Sequence, residues 1–166
     1  MIIIVLIIIA VVGYVLYSKN KNGKNTNSQT AKAQSNAEKK ETFISFTDVE
    51  KQQLSKLGKL DPVMVAYKKA INGDAKAMMF LGLVYKQEFN NPKKSFYWVE
   101  KSAQRGNSEA EYLLGTYYGR GYGVEQKKAM ANMWIIMSAK KGNKDAIAFL
   151  SKTMTKQEMR DLEIPV

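Results

Sequence analysis

Residues 77–85 read AMMFLGLVY and residues 110–118 read AEYLLGTYY. Laid over each other at an offset of 33, they share Ala77/Ala110, Leu81/Leu114, Gly82/Gly115 and Tyr85/Tyr118. A second pair follows. Residues 98–107, WVEKSAQRGN, and residues 134–143, WIIMSAKKGN, share Trp98/Trp134, Ser102/Ser138, Ala103/Ala139, Gly106/Gly142 and Asn107/Asn143 at an offset of 36. The three-residue length difference falls between the two blocks, where residues 119–133, opening with Gly119-Arg120-Gly121-Tyr122-Gly123-Val124, replace the shorter stretch 86–97 that opens with Lys86–Asn91. A period in this range is the mark of a repeat architecture, each unit burying its apolar face against the next.

Each unit reads as two helices. Ala77, Leu81, Val84 and Tyr85 fall on one helical face, as do Ala110, Leu114, Tyr117 and Tyr118. Asp61-Pro62 and Asn91-Pro92 are N-cap-plus-proline starts. Thr47-x-x-Glu50 and Thr155-x-x-Glu158 have the capping-box spacing. Gly73, Gly106 and Gly142 stand where a left-handed residue closes a helix. No segment alternates as a strand would, so the expected class is all-α. Partial copies flank the two units. Ala70 and Gly73 match Ala103 and Gly106 at an offset of 33, making 62–72 the second helix of an incomplete earlier unit. Ala146 and Leu150 begin a third unit that stops at Ser151. Helices 48–58 and 156–162 are expected to cap the ends.

Gly82 and Gly115 lie inside helices, at a cost of about 1 kcal/mol each relative to Ala. A cost repeated at one position predicts a close helix approach, with Ala103 and Ala139 expected at the same contact. Trp98 and Trp134 are expected as core plugs.

These residues resemble Sel1-like repeats, relatives of the tetratricopeptide repeat. The second unit carries the pattern nearly completely, in Ala110, Leu114, Gly115, Tyr118, Gly121, Gly123, Val124, Lys128, Ala129, Trp134, Ala139, Gly142 and Asn143. The first departs from it by lacking the loop glycines. The resemblance implies a short right-handed α-solenoid that serves as a protein-interaction adaptor or scaffold. Bacterial members look envelope-associated, and several resemble secretion factors or immunity proteins that neutralise a toxin enzyme.

Composition narrows the chemistry. The 166 residues contain no cysteine and no histidine. Thiol or imidazole catalysis, thiolate zinc and a histidine pH switch are thereby excluded. Gly119-x-Gly-x-Gly follows no strand and precedes no Gly-Lys-Ser/Thr, so it reads as a repeat turn. Ser138-x-x-Lys141 has an acyl-enzyme spacing, but Ser138 matches Ser102 and reads as packing. Glu109 and Glu111 are two apart and diverge on a helix. The expectation is a binding protein with no cofactor, metal or catalytic set. Its groove is read from first-helix positions left over from packing: Met79/Tyr112, Leu83/Thr116 and Lys86/Gly119. Arg120 and Tyr122 on the glycine-rich loop would add a rim. The candidate partner-binding residues are therefore Met79, Leu83, Lys86, Tyr112, Thr116, Arg120 and Tyr122.

Outward from the repeats, residues 1–17 (MIIIVLIIIAVVGYVLY) carry no charged side chain. As a helix they reach about 25 Å, slightly short of a hydrocarbon core of about 30 Å. No basic residue precedes the run and no small-x-small site follows it, so it reads as an uncleaved single-pass anchor rather than a signal peptide. Residues 18–42 lack aromatics, Val, Ile and Leu, and read as a disordered polar tether. The expected organisation is an anchor at 1–17, a linker at 18–42, N-terminal capping helices at 43–73, repeats at 74–152 and a C-terminal capping helix at 153–166. The chain holds 26 Lys+Arg against 15 Asp+Glu, a net charge of +11. That balance suits acidic proteins, membrane-complex components or anionic lipid headgroups, with solubility as the blander reading, and the scatter of the basic residues speaks against nucleic acid. Lys19, Lys21, Lys24 and Lys32 follow the apolar run, which places the repeats on the cytoplasmic side of a bacterial inner membrane. The family resemblance points instead to the periplasm. The leading expectation is a membrane-anchored adaptor for an envelope or secretion complex, with a toxin-immunity protein as the alternative.

Overall fold

The computed structural model describes residues 45–165. The anchor and tether expected at 1–42 lie outside the described residues. No helix among the described residues is long and apolar enough to cross a membrane. Eight helices are described: α1 (Asp48–Lys56), α2 (Leu60–Ile71), α3 (Ala75–Gln87), α4 (Pro92–Gln104), α5 (Ser108–Arg120), α6 (Lys128–Lys140), α7 (Lys144–Leu150) and α8 (Lys156–Asp161). No strand occurs among these residues. The first repeat is α3 with α4, and the second is α5 with α6.

Local sequence sets the helix boundaries. Asp74, Asn91, Asn107 and Asn143 each accept a hydrogen bond from the backbone N–H three residues on, at 2.9–3.1 Å. An N-cap of this kind contributes about 1 kcal/mol. Both expected capping boxes form, at Thr47–Glu50 and Thr155–Glu158. Gly73, Gly106 and Gly142 take φ of 101°, 84° and 80° directly after a helix, which only glycine adopts without strain. One expected start is corrected. Helix α2 begins at Leu60, not at Pro62, and its cap is Lys59 with no side-chain bond. The Lys59 carbonyl already accepts from Val63 N–H at 3.3 Å, so the turn forms before Asp61.

The helices of each repeat meet where glycine removes a side chain. A Cβ on Gly82 would lie 2.5 Å from Val99 Cγ2, and one on Gly115 would lie 2.6 Å from Ile135 Cγ1 and 2.9 Å from the Ala131 carbonyl oxygen. The close approach is as expected, but its partners are not Ala103 and Ala139. The contact lies about one turn earlier on the second helix, at Ser95/Val99 and Ala131/Ile135.

One core joins the repeats through Val99, Ala103, Ala110, Leu114, Tyr117, Tyr118 and Ala131. A second closes the C-terminal end, where Ile135, Ala139, Ala146 and Leu150 bury Met159 of α8 and Ile164 beyond it. At the N-terminal end Phe46 stacks on Tyr85 at 5.0 Å and meets Tyr67 edge-on at 5.8 Å. Trp98 is buried beside Tyr67 and Tyr97, with ring centroids at 6.1 and 5.3 Å. Trp134 is only half-buried, which corrects its reading as a full core plug. The repeat register explains the difference. Glu100 and exposed Met133 occupy, in register, the positions of the aromatics Tyr67 and Tyr97 that stand beside Trp98.

Candidate interaction surface

The first helices of the repeats, α3 and α5, carry the expected groove residues. Met79 is half-buried and packs against the core that joins the repeats. Tyr112, its counterpart, is half-buried against the C-terminal core. Leu83 and Thr116 are half-buried, and the Thr116 hydroxyl donates to the Leu113 carbonyl at 2.7 Å. Lys86 and Arg120 are exposed. Arg120 is the last residue of α5 rather than part of the loop, because the cap is Gly121 at φ 70°. A shallow cavity of about 490 Å³ opens between the starts of α3 and α5, lined by Lys76, Met79, Gly106, Asn107, Ser108 and Glu109. Of the expected residues it takes in Met79 alone.

The glycine-rich loop gathers two others, Lys86 and Tyr122. The Lys86 ammonium lies 5.6 Å from the centre of the Tyr117 ring and 5.8 Å from that of Tyr122, whose rings are 4.6 Å apart. A cation against such ring faces contributes about 0.5–1 kcal/mol at an exposed site. Ser95 Oγ donates to the Gly82 carbonyl at 2.8 Å, so the Tyr117 hydroxyl donates to Ser95 Oγ at 2.9 Å. Burial pushes the Tyr117 hydroxyl above its ordinary pKa, against the lowering effect of the Ser95 bond. Burial raises Tyr122 as well. The loop itself folds back on the preceding repeat, with Gly123 (φ 74°) against the Pro92 carbonyl. Gln126 Nε2 closes it by donating to the Gly119 carbonyl at 2.6 Å.

The residue spacings weighed for catalysis are used structurally. Ser138 Oγ donates to the Ser108 carbonyl at 2.6 Å, as Ser102 Oγ donates to Ala75 at 2.7 Å. The Lys141 ammonium bonds the Glu111 carboxylate. Glu109 is exposed and Glu111 is buried, so the two carboxylates do diverge. Sequence reasoning missed that Glu111 is 1% exposed with Oε2 unpartnered. Its matches in register, Met78 and Ile147, were the available signal. Among the described residues no group of acidic side chains could hold a metal ion.

The sequence comparison matches this geometry. Residues 75–107 and 108–143, the two helix pairs just described, match the family described as Sel1 repeat. Over those residues the chain is similar to two Sel1 repeats. A crystal structure of a Sel1 repeat protein from Oxalobacter formigenes is similar to it, at 28% identity and a TM-score of 0.51. That likeness covers 63% of this chain and 84% of the other. No curated protein matches the sequence. Sel1 repeats generally mediate protein–protein interactions and are generally non-enzymatic scaffolds, in keeping with an α-solenoid whose polar networks cap helices and bridge repeats.

Proposed function

We propose that this protein is a membrane-anchored adaptor whose Sel1-like repeats hold an acidic protein partner for a bacterial envelope or secretion assembly. The observation that carries the reading is the basic, aromatic edge of the repeats. Lys86 and Arg120 are exposed at the ends of α3 and α5, and Lys86 lies beside Tyr117 and Tyr122. Tyrosine and arginine are enriched at protein interfaces, and the exposed cations suit an acidic partner. The apolar run at 1–17 supports the anchor, and the polar stretch at 18–42 supports a tether of about 25–30 Å between membrane and repeats.

The test uses charge reversal at exposed positions, which spares the core. Lys86→Glu combined with Arg120→Glu in the full chain is expected to abolish co-purification of the partner from membranes while the far-UV circular dichroism stays as in the parent. Undiminished recovery of the partner would refute the assignment. Single cysteines at Ser35 and Ser151 of this cysteine-free chain report its side of the membrane. Labelling in intact cells by a reagent that stops at the inner membrane means the periplasm, and labelling only after lysis means the cytoplasm.

A further inference from the structure

The first described helix pair is incomplete. In the repeats, the second helix packs one face along its first helix: Ser95, Val99 and Ser102 of α4 face α3, and Ala131, Ile135 and Ser138 of α6 face α5. At an offset of 33, the same face of α2 is Pro62, Ala66 and Lys69, with Val65 where Trp98 and Trp134 stand. No first helix covers it among the described residues. Helix α1 does not take that place. It lies against the end of α3 and the start of α4, through Gln53 Nε2 on the Glu88 carbonyl (2.7 Å) and Glu50 on Lys94 (3.0 Å).

Along this face runs a groove of about 430 Å³, lined by Pro62, Val65, Ala66 and Lys69 of α2 and, on the α3 side, by Asp74, Lys76, Ala77 and Phe80. Val65 is 54% exposed and Phe80 is 42% exposed. Leu113, the match of Phe80 on α5, is half-buried in the core between the repeats, where Met79 of the neighbouring first helix also packs. The fold therefore shows what covers this face elsewhere: one helix, laid along the second helix and beside the next first helix. Its charge differs from the covered copies. Lys69 stands where they carry Ser102 and Ser138, and Lys76 where they carry Glu109 and Asp145. The remaining charge in the groove, Asp74, is held by its cap bond to Ala77 N–H. Ala66 replaces Val99 and Ile135, so the approaching helix has no need of the glycine that α3 and α5 require there.

We propose that this groove docks one acidic amphipathic helix of a partner protein, which completes the missing repeat. Its apolar stripe covers Val65, Ala66 and Phe80, and its carboxylates meet Lys69 and Lys76. About 13 residues suffice, the length of α3 and α5. The proposal rests on the adaptor reading but uses none of the residues of the basic, aromatic edge, so the two fail separately.

The probe is a fluorescein-labelled 18-residue helical peptide with an Ala/Leu stripe flanked by Glu, titrated into the full chain in detergent micelles and read by fluorescence polarisation. The expected result is saturable binding that falls at least tenfold with the same stripe flanked by Lys, and at least tenfold with Val65→Glu. Lys69→Glu with Lys76→Glu is expected to reverse the preference toward the Lys-flanked peptide, a change that misfolding would not produce. Lys86→Glu with Arg120→Glu leaves peptide binding intact if the groove is the site. Equal binding of both peptides, or no effect of Val65→Glu, overturns the proposal. Peptide binding that appears only after residues 1–44 are removed also overturns it, assigning the groove to the chain's own N-terminal segment. Concentration-dependent dimerisation lost in Val65→Glu, without peptide binding, overturns it in favour of a second copy.

Discussion

Replacing Gly115 with alanine sets helix propensity against packing. In an exposed helix interior the change is worth about 1 kcal/mol in favour of alanine. Here the new Cβ would meet Ile135 Cγ1 at 2.6 Å, the Ala131 carbonyl oxygen at 2.9 Å and Ile135 N at 3.2 Å. Ordinary contact begins at 3.4 Å, so α5 and α6 must part by roughly 3.4 − 2.9 = 0.5 Å at a backbone atom that no rotamer relieves. Overpacking of this kind costs about 1–3 kcal/mol. With the upper part of that range engaged and the propensity gain subtracted, Gly115→Ala is expected to destabilise by about 1–2 kcal/mol, or roughly 4–8 °C in Tm for a domain of this size. Gly82→Ala differs, since only Val99 Cγ2, at 2.5 Å, is within 3.0 Å and the backbone atoms stand off at 3.3 Å. Adding Val99→Ala should therefore relieve Gly82→Ala, whereas Ile135→Ala leaves Gly115→Ala pressed against the Ala131 carbonyl. Urea titration by far-UV circular dichroism, at constant m, measures all of these. A Gly115→Ala protein as stable as its parent would refute the close-approach argument.

Gly123→Ala combines a positive φ with a collision against the Pro92 carbonyl, and is expected to cost at least about 2 kcal/mol in the same titration. Lys141→Ala leaves the Glu111 carboxylate buried and unpaired, and should cost about 2 kcal/mol, on the low side because Lys141 is 42% exposed. Glu111→Met, the residue found at the matching position 78, should by contrast be neutral or stabilising by thermal melt. Burial holds the Tyr85 hydroxyl far above its ordinary pKa of 10.0, assisted by Glu50 and Tyr67. Its contribution is fully present below that unfolded-state value and is lost as pH rises toward the folded one, because the unfolded chain releases the proton first. Stability should therefore fall above about pH 10, and the fall should be smaller in Tyr85→Phe, whose missing hydroxyl has no partner to lose.

Much of the fold was legible because the repeat writes it twice. Ala-x-x-x-Leu-Gly-x-x-Tyr marks the core stripe and the close approach together, and Asn91, Asn107 and Asn143, the last two directly preceded by Gly106 and Gly142, punctuate the helices. Contacts that depend on a third element were not legible. That Gly115 faces Ile135 rather than Ala139 depends on the stagger between helices, which spacing alone does not carry. Trp134 lost its expected burial because its neighbours in register are Glu100 and Met133 rather than aromatic rings. The groove residues were assigned as leftovers from one helix face. Met79 and Tyr112 are in fact shared with the next unit's core, while the open face at Val65 and Phe80 lies where no first helix covers α2 among the described residues. The register that aligns Val65 with Trp98 held that signal from the start.

The fold of residues 119–126 makes mechanical sense of the three added residues in the second repeat. Gly123 lies over the first turn of α4, and Tyr122 and Val124 enter the core that both repeats share. A load drawn from residue 45 would meet α1 first, held by the Glu50–Lys94 ion pair, the Gln53–Glu88 hydrogen bond and the buried Leu54. Beyond it come the packed helices from α2 onward, with the two units buckled together by that loop. The lightly held helix α1 thus leads onto a stiffer block, and a pull on residue 45 would be spent in α1 before it reached Lys86 and Arg120.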